Sequence, residues 1–392
     1  MIEMSTIKDQ VLKTLNDRRN ETVELLRELI RTQSITGEEK EIADLIARKL
    51  KMFGFEDVRI DGVGNVICKL VGSSAGPTLL YNGHMDTVPA GERSLWKFDP
   101  FSAEIVNDTI VGRGACDMKG SIAAMMMAVD AIRRADVKLK GILILTMVVK
   151  EENALEEGTK YAIEEGGLKP DIALVGEATN LNISLGARGR IEVDILVRGR
   201  SAHASDPSRG INAVGKMIKM IAAIPRMKLP RHGFLGSATQ AVTNISCQPG
   251  RSNVIPNLCT ISVDRRVIPS ETPEKIKADF LTVIEKIKSK DAEFDADVKT
   301  GKLALPAYIS ASEPAVKILQ SSSMYVLAKK PKLSKYTFGT DASYLSAIAK
   351  VPTIGFGPGD EVYAHSVNDH VRIDDLVAAS KVYASFIIDL LS

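Results

Sequence analysis

The feature that most restricts the fold is an apolar segment without a charged side chain, residues 141–149. Its length and composition are typical of a central strand that is buried on both faces of a sheet. Shorter apolar segments predict strands at residues 58–60, 66–71, 78–82 and 172–175, and apolar residues at helical spacing predict helices at residues 12–31, 42–52, 120–135 and 161–165. Strands that alternate with helices indicate an α/β layer with a mostly parallel sheet.

The pattern changes after about residue 182 and returns near the C-terminal end. Strands are predicted at residues 191–197, 242–247, 260–267 and 296–298, with helices at 212–223 and 273–289. Their order, β-α-β-β-α-β, is the ferredoxin-like arrangement. The α/β pattern then resumes with segments 313–327, 351–355 and 374–391. We therefore predict one α/β domain formed by residues 1–181 and 301–392, interrupted by a ferredoxin-like domain at residues 182–300.

Composition excludes several classes of protein. The net charge is only +2 although 26% of the residues are charged, which argues against a nucleic-acid or anionic-membrane partner. No apolar run approaches the roughly 20 residues that span a bilayer. The first residues show no secretory leader. The four cysteines form no C-x-x-C motif. We expect a soluble, cytoplasmic protein with reduced thiols.

The chemistry is first indicated by His84 and Asp86, which follow the predicted strand at residues 78–82. Residues two apart in an extended chain share a face, so both side chains can point toward one place. A carboxylate commonly fixes the second ring nitrogen of a metal-binding histidine. Taken alone, the pair is more typical of a polar surface loop than of a metal site, so its meaning depends on matching ligands elsewhere.

Four further segments place an acid or a histidine after a strand or a glycine-rich turn. These residues are Asp117, the adjacent Glu151 and Glu152, Glu177 and His365. In open α/β sheets, functional groups gather at the carboxyl ends of the strands, so we expect this set to converge with His84 on one crevice.

Two imidazoles with several carboxylates suit zinc, or else cobalt or manganese. So many carboxylates cannot gather without a cation. Two metal ions about 3.5–4 Å apart would need a bridging ligand, which a carboxylate such as Asp117 can supply. The pair Glu151–Glu152 suits a division of labour, in which one glutamate binds metal and the other takes a proton from a metal-activated water.

Five segments of this chain, in this order and spacing, resemble the M20 family of metallopeptidases: YNGHMDTVPAG, GRGACDMKG, VVKEEN, VGEAT and YAHSVNDHV. That family includes acetylornithine deacetylase, succinyl-diaminopimelate desuccinylase, aminoacylase and glutamate carboxypeptidase. The resemblance covers nearly the whole chain, inserted domain included. It implies a zinc-peptidase-like catalytic domain and an inserted dimerisation domain.

The resemblance also implies a role for each site residue. His84, Asp117 and Glu177 would bind one metal ion. Asp117, as the bridge, would bind the other together with Glu152 and His365. Glu151 would be the general base, and Asp86 would orient His84. The peptide bond after Asp117 would be cis.

The inserted domain resembles the family as well. His203 matches a histidine that usually reaches the active site of the partner subunit, where it stabilises the oxyanion, and this implies a homodimer formed through the inserted domain. Asn253 matches a residue near the tetrahedral centre. Arg265 is similar to a position that binds the substrate carboxylate, with Arg266 as its competitor. Gly339 and Thr340 resemble a substrate-side loop.

Some positions match no ligand motif or depart from the family pattern. His232 and His370 match no ligand motif, so we expect them to be structural. Lys150 stands where the family usually has Asp, residues 153–155 replace glycines after the glutamate pair, and Asp369 stands where Glu is frequent. None of these changes removes a predicted metal ligand.

These observations favour a two-metal hydrolase of N-acyl amino acids, of the acetylornithine deacetylase or succinyl-diaminopimelate desuccinylase type. A carboxypeptidase or dipeptidase acting on short peptides is the alternative. A non-catalytic binding protein is a more remote one, because such a protein has no need of Glu151.

Overall fold

The computed structural model describes residues 2–153 and 157–392. The chain divides into two compact units. The core domain comprises residues 1–186, 307–336 and 340–392, and the inserted domain comprises residues 187–306 and 337–339. Within the described residues, no helix has the length and apolar character needed to cross a membrane.

The elements are numbered in chain order. The helices are α1 (Ile2–Asp17), α2 (Arg19–Arg31), α3 (Lys40–Met52), α4 (Gly120–Arg134), α5 (Glu157–Glu164), α6 (Ala213–Ala223), α7 (Pro273–Lys288), α8 (Pro314–Leu327), α9 (Ala342–Ala347) and α10 (Ile373–Leu391). The strands are β1 (Val58–Ile60), β2 (Val66–Val71), β3 (Ser74–His84), β4 (Glu104–Val106), β5 (Thr109–Val111), β6 (Lys140–Val148), β7 (Ile172–Val175), β8 (Ile183–Ala187), β9 (Gly189–Arg198), β10 (Arg231–His232), β11 (Gly236–Ser237), β12 (Thr239–Gln248), β13 (Leu258–Val267), β14 (Asp295–Thr300), β15 (Ala307–Tyr308), β16 (Leu333–Tyr336), β17 (Thr353–Gly355) and β18 (His370–Arg372).

The core domain is built on a nine-stranded sheet in the order β1-β2-β6-β3-β7-β17-β8-β15, with β16 paired to β8. The four neighbouring strands β6, β3, β7 and β17 are parallel. Antiparallel pairs flank them, β1–β2 and β2–β6 on one side and β17–β8 on the other. The predicted α/β fold is confirmed. Its parallel part is the centre of the sheet, which includes the apolar strand β6.

Helices cover both faces of this sheet, as the consecutive residues Leu80 and Tyr81 of β3 show, because neighbouring side chains in a strand point to opposite faces. The Tyr81 hydroxyl donates a hydrogen bond to the Tyr383 carbonyl of α10, at 2.8 Å. Leu80 packs on the other side in a buried cluster with Ile144 of β6 and Leu345 of α9. Full burial of one such leucine stabilises the fold by about 1.5–3 kcal/mol.

The inserted domain has the β-α-β-β-α-β order predicted from the sequence. Its antiparallel sheet has the strand order β12-β13-β9-β14, and α6 and α7 follow the first and third of its strands in the chain. The alternating residues of β9 that face the helices are fully buried, and they pack with Met217 of α6 and Phe280 of α7. The side chain of Asn212 caps α6 by accepting hydrogen bonds from the amides of Val214 and Gly215.

Two expectations from the sequence differ from the structure. The single helix predicted at residues 12–31 is two helices, separated at Arg18, whose ψ of 23° leaves the helical range. The Arg18 guanidinium bonds Asp130 of α4, which is buried and holds this junction against the core. The strand β8, which was not predicted, continues the core sheet past residue 182, so the inserted domain begins a few residues later than expected.

Candidate metal centre

The predicted ligands lie after the four central parallel strands. His84 ends β3, the pair Glu151–Glu152 follows β6, Glu177 follows β7, and His365 lies beyond β17. Because β6, β3, β7 and β17 are parallel neighbours, their carboxyl ends meet at one edge of the sheet. Two groups of side chains there have ligand atoms within 4.8 Å of one another: His84, Glu151 and Glu177, and His84, Asp117 and Glu152.

The His84 ring is buried and held from both sides. Its Nδ1 lies 2.9 Å from the carbonyl oxygen of Asp86, and 3.6 Å from the Asp86 carboxylate. Its Nε2 faces two carboxylates, at 2.9 Å from Asp117 Oδ1 and 3.4 Å from Glu177 Oε1. Nε2 is therefore the nitrogen directed into the cluster, where it can bind a metal.

Asp86 does more than face the histidine. One of its carboxylate oxygens accepts a hydrogen bond from the backbone amide of Glu151, and the other accepts one from the amide of Glu152, both at 3.1 Å. The Thr36 hydroxyl donates a further bond to Asp86, at 2.9 Å. One fully buried carboxylate thus connects the end of β3 to the turn that carries both glutamates.

Asp117 lies between the two histidines, as a bridging ligand must. Its Oδ1 is 2.9 Å from His84 Nε2, and its Oδ2 is 3.3 Å from His365 Nε2. Burial raises the pKa of Asp117, but hydrogen bonds from the two histidines outweigh this and hold the pKa below its ordinary value. The peptide bond between Asp117 and Met118 is cis, which confirms the prediction for this position.

His365 completes the second side of the cluster. Its Nε2 is 2.7 Å from Glu152 Oε2, and hydrogen bonds with Asp117 and Glu152 raise the pKa of His365 to about 10. Its side chain is 54% exposed, so this candidate ligand lies on the open side of the site. Its backbone φ of 59° lies in the left-handed region, which costs energy for a residue other than glycine. Such strained residues are often found at functional sites.

The donor set fits divalent cations. Burial, together with the charge of Asp117, raises the pKa of Glu177 to about 7. Buried oxygens of Glu152 (Oε1) and Glu177 (Oε2) have no hydrogen-bond partner within the part of the chain that the structure describes. Buried carboxylate oxygens without donors are costly unless a cation satisfies them. Imidazole and carboxylate donors in this mixture suit zinc, cobalt or manganese.

Glu151 belongs to one of the two groups described above, together with His84 and Glu177. Burial of its carboxyl group raises the pKa of Glu151 well above its ordinary value, an effect that the nearby His84 opposes and that the neighbouring carboxylates reinforce. A carboxylate with a raised pKa is a stronger base once it is deprotonated. Ala154 and Leu155, part of the departure from the family pattern, lie outside the described residues.

Asp369 and Lys119 stabilise the turn around Asp117. The sequence did not indicate this role for either residue. Asp369 is fully buried, and its oxygens accept hydrogen bonds from the amides of Gly114 (2.7 Å) and Cys116 (2.8 Å). The buried Lys119 donates from Nζ to the carbonyls of Leu29 and Thr32 at the end of α2. Burial lowers the pKa of Lys119 to about 7. Both residues lie inside the recognised motifs, but their roles depend on partners far away in the sequence.

In the inserted domain, the structure brings His203 and Asn253 together. A short backbone bridge pairs His203 with Val254, next to Asn253, and the Ala204 amide donates a hydrogen bond to the Asn253 carbonyl at 3.0 Å. His203 and Asn253 are both exposed. The Ser205 amide donates to His203 Nδ1, at 3.2 Å, which places the proton of the neutral ring on Nε2. His203 therefore presents an N–H donor to its surroundings.

Arg265 is placed differently from the prediction. Its side chain is 1% exposed, and its guanidinium donates to Glu271 at 2.5 Å and to Asp279 at 3.0 Å. With its donors occupied by these carboxylates, Arg265 fits a structural role within the inserted domain better than a contact with substrate. Its competitor Arg266 is more exposed and donates to Asp264 at 2.9 Å.

Of the remaining predicted residues, Gly339 and Thr340 lie just before α9, His232 is in β10 and His370 is in β18. Thr340 is buried, and its hydroxyl oxygen accepts a hydrogen bond from the Ala342 amide at the start of α9. Around Gly339 an added Cβ would meet no atom within 4 Å. His232 accepts hydrogen bonds from the amides of Phe234 and Leu235, and His370 contacts the Asn368 carbonyl, so both histidines have structural contacts.

The fold and the histidine–carboxylate cluster together define a metal-dependent hydrolase. The chain belongs to peptidase family M20/M25/M40, whose model matches residues 80–389. This confirms the resemblance noted in the sequence.

Similar proteins span almost the whole chain. The uncharacterized protein YgeY of Escherichia coli (strain K12) is 29% identical over 390 residues, which cover 96% of each chain. The succinyl-diaminopimelate desuccinylase of Phenylobacterium zucineum (strain HLK1) is 29% identical over 378 residues, covering 94% of this chain and 97% of that protein. Among solved structures, the Bacillus subtilis YXEP protein, described as a dinuclear metal binding peptidase from the M20 family, superposes with a TM-score of 0.74. It is 16% identical and covers 95% of this chain and 98% of its own.

Proposed function

We propose that this enzyme hydrolyses the amide bond of N-acyl amino acids at a centre that holds two divalent metal ions. The observation that carries the proposal is the position of Asp86. Its carboxylate faces the ring of His84 and binds the amides of Glu151 and Glu152, so a ligand histidine, a ligand glutamate and a second, adjacent glutamate are held in one fixed arrangement. A binding protein would not need this second glutamate.

The ligands divide into two sets that share Asp117. His84 and Glu177 would hold one ion, and Glu152 and His365 the other. When bound, the two ions would polarise the amide carbonyl and make a water molecule more acidic. Zinc is the ion we favour, since the site combines imidazole nitrogens with carboxylate oxygens.

The chain's own residues then carry the proton. Glu151 would accept a proton from the attacking water and deliver it to the leaving nitrogen, the dual role of a general acid–base residue. The Nε2–H of His203 would donate to the carbonyl oxygen as negative charge develops there, with Asn253 beside it. By the family resemblance, the partner subunit would supply this histidine.

Two adjacent substitutions test this division of labour. In Glu151→Gln we expect kcat to fall by about 10²–10⁴-fold while two metal ions remain bound, because only a proton acceptor is lost. In Glu152→Gln we expect the metal content itself to fall, because a ligand is lost. Metal analysis after gel filtration, together with amide hydrolysis, separates the two. Full activity in Glu151→Gln would show the mechanism to be wrong.

The proposed substrate class is based on the similarity of this chain to the desuccinylase. The desuccinylase matches 29% of residues along nearly the whole chain, whereas the structurally similar peptidase matches 16%. This favours an N-acyl amino acid over a peptide. A panel of N-acetyl amino acids, N-succinyl amino acids and dipeptides decides between them. A kcat/KM that is highest for dipeptides would favour the alternative, a carboxypeptidase or dipeptidase.

We also propose a homodimer formed through the inserted domain. Strand β12 lies at one edge of its sheet, where backbone groups are available for pairing. Ile245 on this strand is 52% exposed, and Ile218 on α6 is 59% exposed. Light scattering should give the mass of a dimer for the wild type and of a monomer for Ile245→Lys. The matched control is Ile105→Lys, an exposed isoleucine of the core domain, which should remain dimeric.

A further inference from the structure

Two cysteines of the inserted domain face each other across neighbouring strands. Cys247 of β12 is directly opposite Cys259 of β13 in the antiparallel register. Their Sγ atoms lie 3.1 Å apart, and both are free thiols. No other contact between two thiols occurs among the residues that the structure describes.

This geometry meets the requirements of a disulfide. Opposite residues of an antiparallel pair have Cα atoms about 4.5–5.5 Å apart, within the range of about 4.4–6.8 Å that disulfides span. The sulfurs already approach each other, so the bond can form without moving either strand to a new register. Such a bond would be compatible with the sheet as it stands.

The two thiols differ in access. Cys247 lies on the edge strand and is partly exposed, whereas Cys259 is buried in the core of the domain. Burial, and then the contact with Cys247, raise the pKa of Cys259 to about 12. A small oxidant would therefore meet Cys247 first, and Cys259 would act as the resolving thiol.

The loop between the two cysteines carries a predicted site residue. Residues 249–257 connect β12 to β13 and include Asn253. The amide of Ile255 in this loop donates to the carbonyl of Ala202, at 2.8 Å, next to His203. The backbone pair of Gln248 and Leu258 closes the base of this loop, and a bond between Cys247 and Cys259 would add a covalent link at the next pair of the ladder.

We propose that Cys247 and Cys259 form a redox-active dithiol whose disulfide restrains the loop that carries Asn253 and contacts the segment around His203. A small aliphatic disulfide is the oxidant. The Cys247 thiolate attacks one of its sulfurs and releases one small thiol. The Cys259 thiolate then attacks Cys247 Sγ and releases the second, so two protein thiols become one disulfide while the oxidant is reduced to two thiols. The two thiol protons end on the small thiols.

The chemistry is tested by incubating the full-length protein with excess glutathione disulfide, denaturing it in acid and counting thiols. We expect four free thiols to become two, and a peptide map to join Cys247 to Cys259. In Cys259→Ser, Cys247 should instead keep a stable mixed disulfide with glutathione. In Cys247→Ser, all three remaining thiols should survive. Four free thiols after oxidation of the wild type, or a different pairing, would overturn the proposal.

The effect on the loop rests on the proposed function and needs a separate readout. We expect kcat for an N-acyl amino acid to fall by about two- to tenfold in the oxidised wild type, because loop motions of this kind accompany turnover. Dithiothreitol should restore it, and Cys247→Ser should show no change on oxidation. An unchanged or raised kcat in the fully oxidised protein would show that the disulfide does not restrain the loop. If the reduced protein hydrolyses no amide, the proposed function fails, while the thiol count still decides on the dithiol.

Discussion

The carboxylate of Asp86 lies among three segments that are distant in the sequence. It faces the ring of His84, accepts the amides of Glu151 and Glu152, and accepts the Thr36 hydroxyl. Charge-assisted hydrogen bonds of this kind are stronger than neutral ones, and buried ones are costly to break. Asp86 is thus in place to position the candidate metal ligands and the expected base.

Replacing Asp86 by Asn keeps the shape but removes the charge and one acceptor. We expect the affinity for Zn²⁺ to fall by about 10- to 100-fold, because the ring of His84 and the turn of Glu152 both lose their support. Competition with a coloured chelator measures this affinity. Thr36→Val is the matched control, since it removes only one donor to Asp86, and it should change the affinity much less. Equal effects in the two variants would contradict the positioning role.

The candidate ligands could be selected from the sequence because each follows a strand or turn with a recognisable pattern, as His84 does at the end of β3. The sequence could not predict the supports, since Lys119 bonds the end of α2 and Asp369 bonds the turn before Asp117 only after the chain has folded. The arginine at position 265 shows the converse. Its motif suggested a contact with the substrate carboxylate, but its partners Glu271 and Asp279 are set by the packing of α7 against the sheet.

At the scale of elements, the segment between His365 and β18 is tied to the turn that carries Asp117. Asp369 bonds the Gly114 and Cys116 amides, and its own carbonyl accepts the Gly112 amide at 2.8 Å. The weaker contact with Arg113, at 3.5 Å, adds a positive charge nearby. The two segments that carry the candidate ligands Asp117 and His365 therefore share one buried carboxylate.

Substituting Asp369 by Asn should destabilise this junction. One of the two amides loses its acceptor or faces the new NH₂ group, so we expect the free energy of unfolding to fall by about 1–3 kcal/mol. Urea denaturation of the metal-free protein measures the stability, and metal titration should show weaker binding. Asp374→Asn, which changes an exposed carboxylate at the start of α10, is the control and should have little effect. No change in either quantity would show that Asp369 is not a support.

In the inserted domain, Asp291 joins the two helices. It lies just beyond α7 and binds Lys216 (2.6 Å) and Lys219 (2.7 Å) of α6. Hydrogen bonds from these lysines lower the pKa of Asp291 to about 2. Since the folded pKa is below the unfolded one of about 3.9, the stabilisation is present above pH 4 and is lost as the pH falls toward 2.

We expect Asp291→Asn to lower Tm at pH 7, and the difference from the wild type to shrink steadily between pH 4 and pH 2. Calorimetry across this range measures it. Asp295→Asn is the control, because that carboxylate is 64% exposed and lies 3.6 Å from Arg198. A Tm difference that is the same at pH 7 and pH 2 would rule out the ion pairs as its cause.

At the scale of the whole molecule, the metal centre joins residues from position 84 to position 365 of the core domain. Its carboxylates repel one another unless cations or protons balance them. Ions that bind only the folded chain stabilise it by mass action, by about 2.7 kcal/mol at a concentration 100 times Kd.

Removal of metal by dialysis against a chelator should therefore lower Tm by several degrees, and Zn²⁺ or Co²⁺ should restore it. Differential scanning fluorimetry of the same sample before and after dialysis measures the shift. His365→Ala is the control, since loss of one ligand should reduce the response to added metal. A Tm that is identical with and without metal would contradict the assignment of the cluster.

The ends of the inserted domain lie side by side, because Arg190 and Ala304 exchange two backbone hydrogen bonds of 2.9 Å. In the core sheet, β8 and β15, which flank this insertion, are also neighbours. Once the inserted domain has folded, it spans the gap between β8 and β15 as a short connection would, so the entropy of closing a loop of more than a hundred residues no longer opposes their pairing. We therefore expect β8 and β15 to pair with a lower entropic cost once the inserted domain has folded than before it has folded.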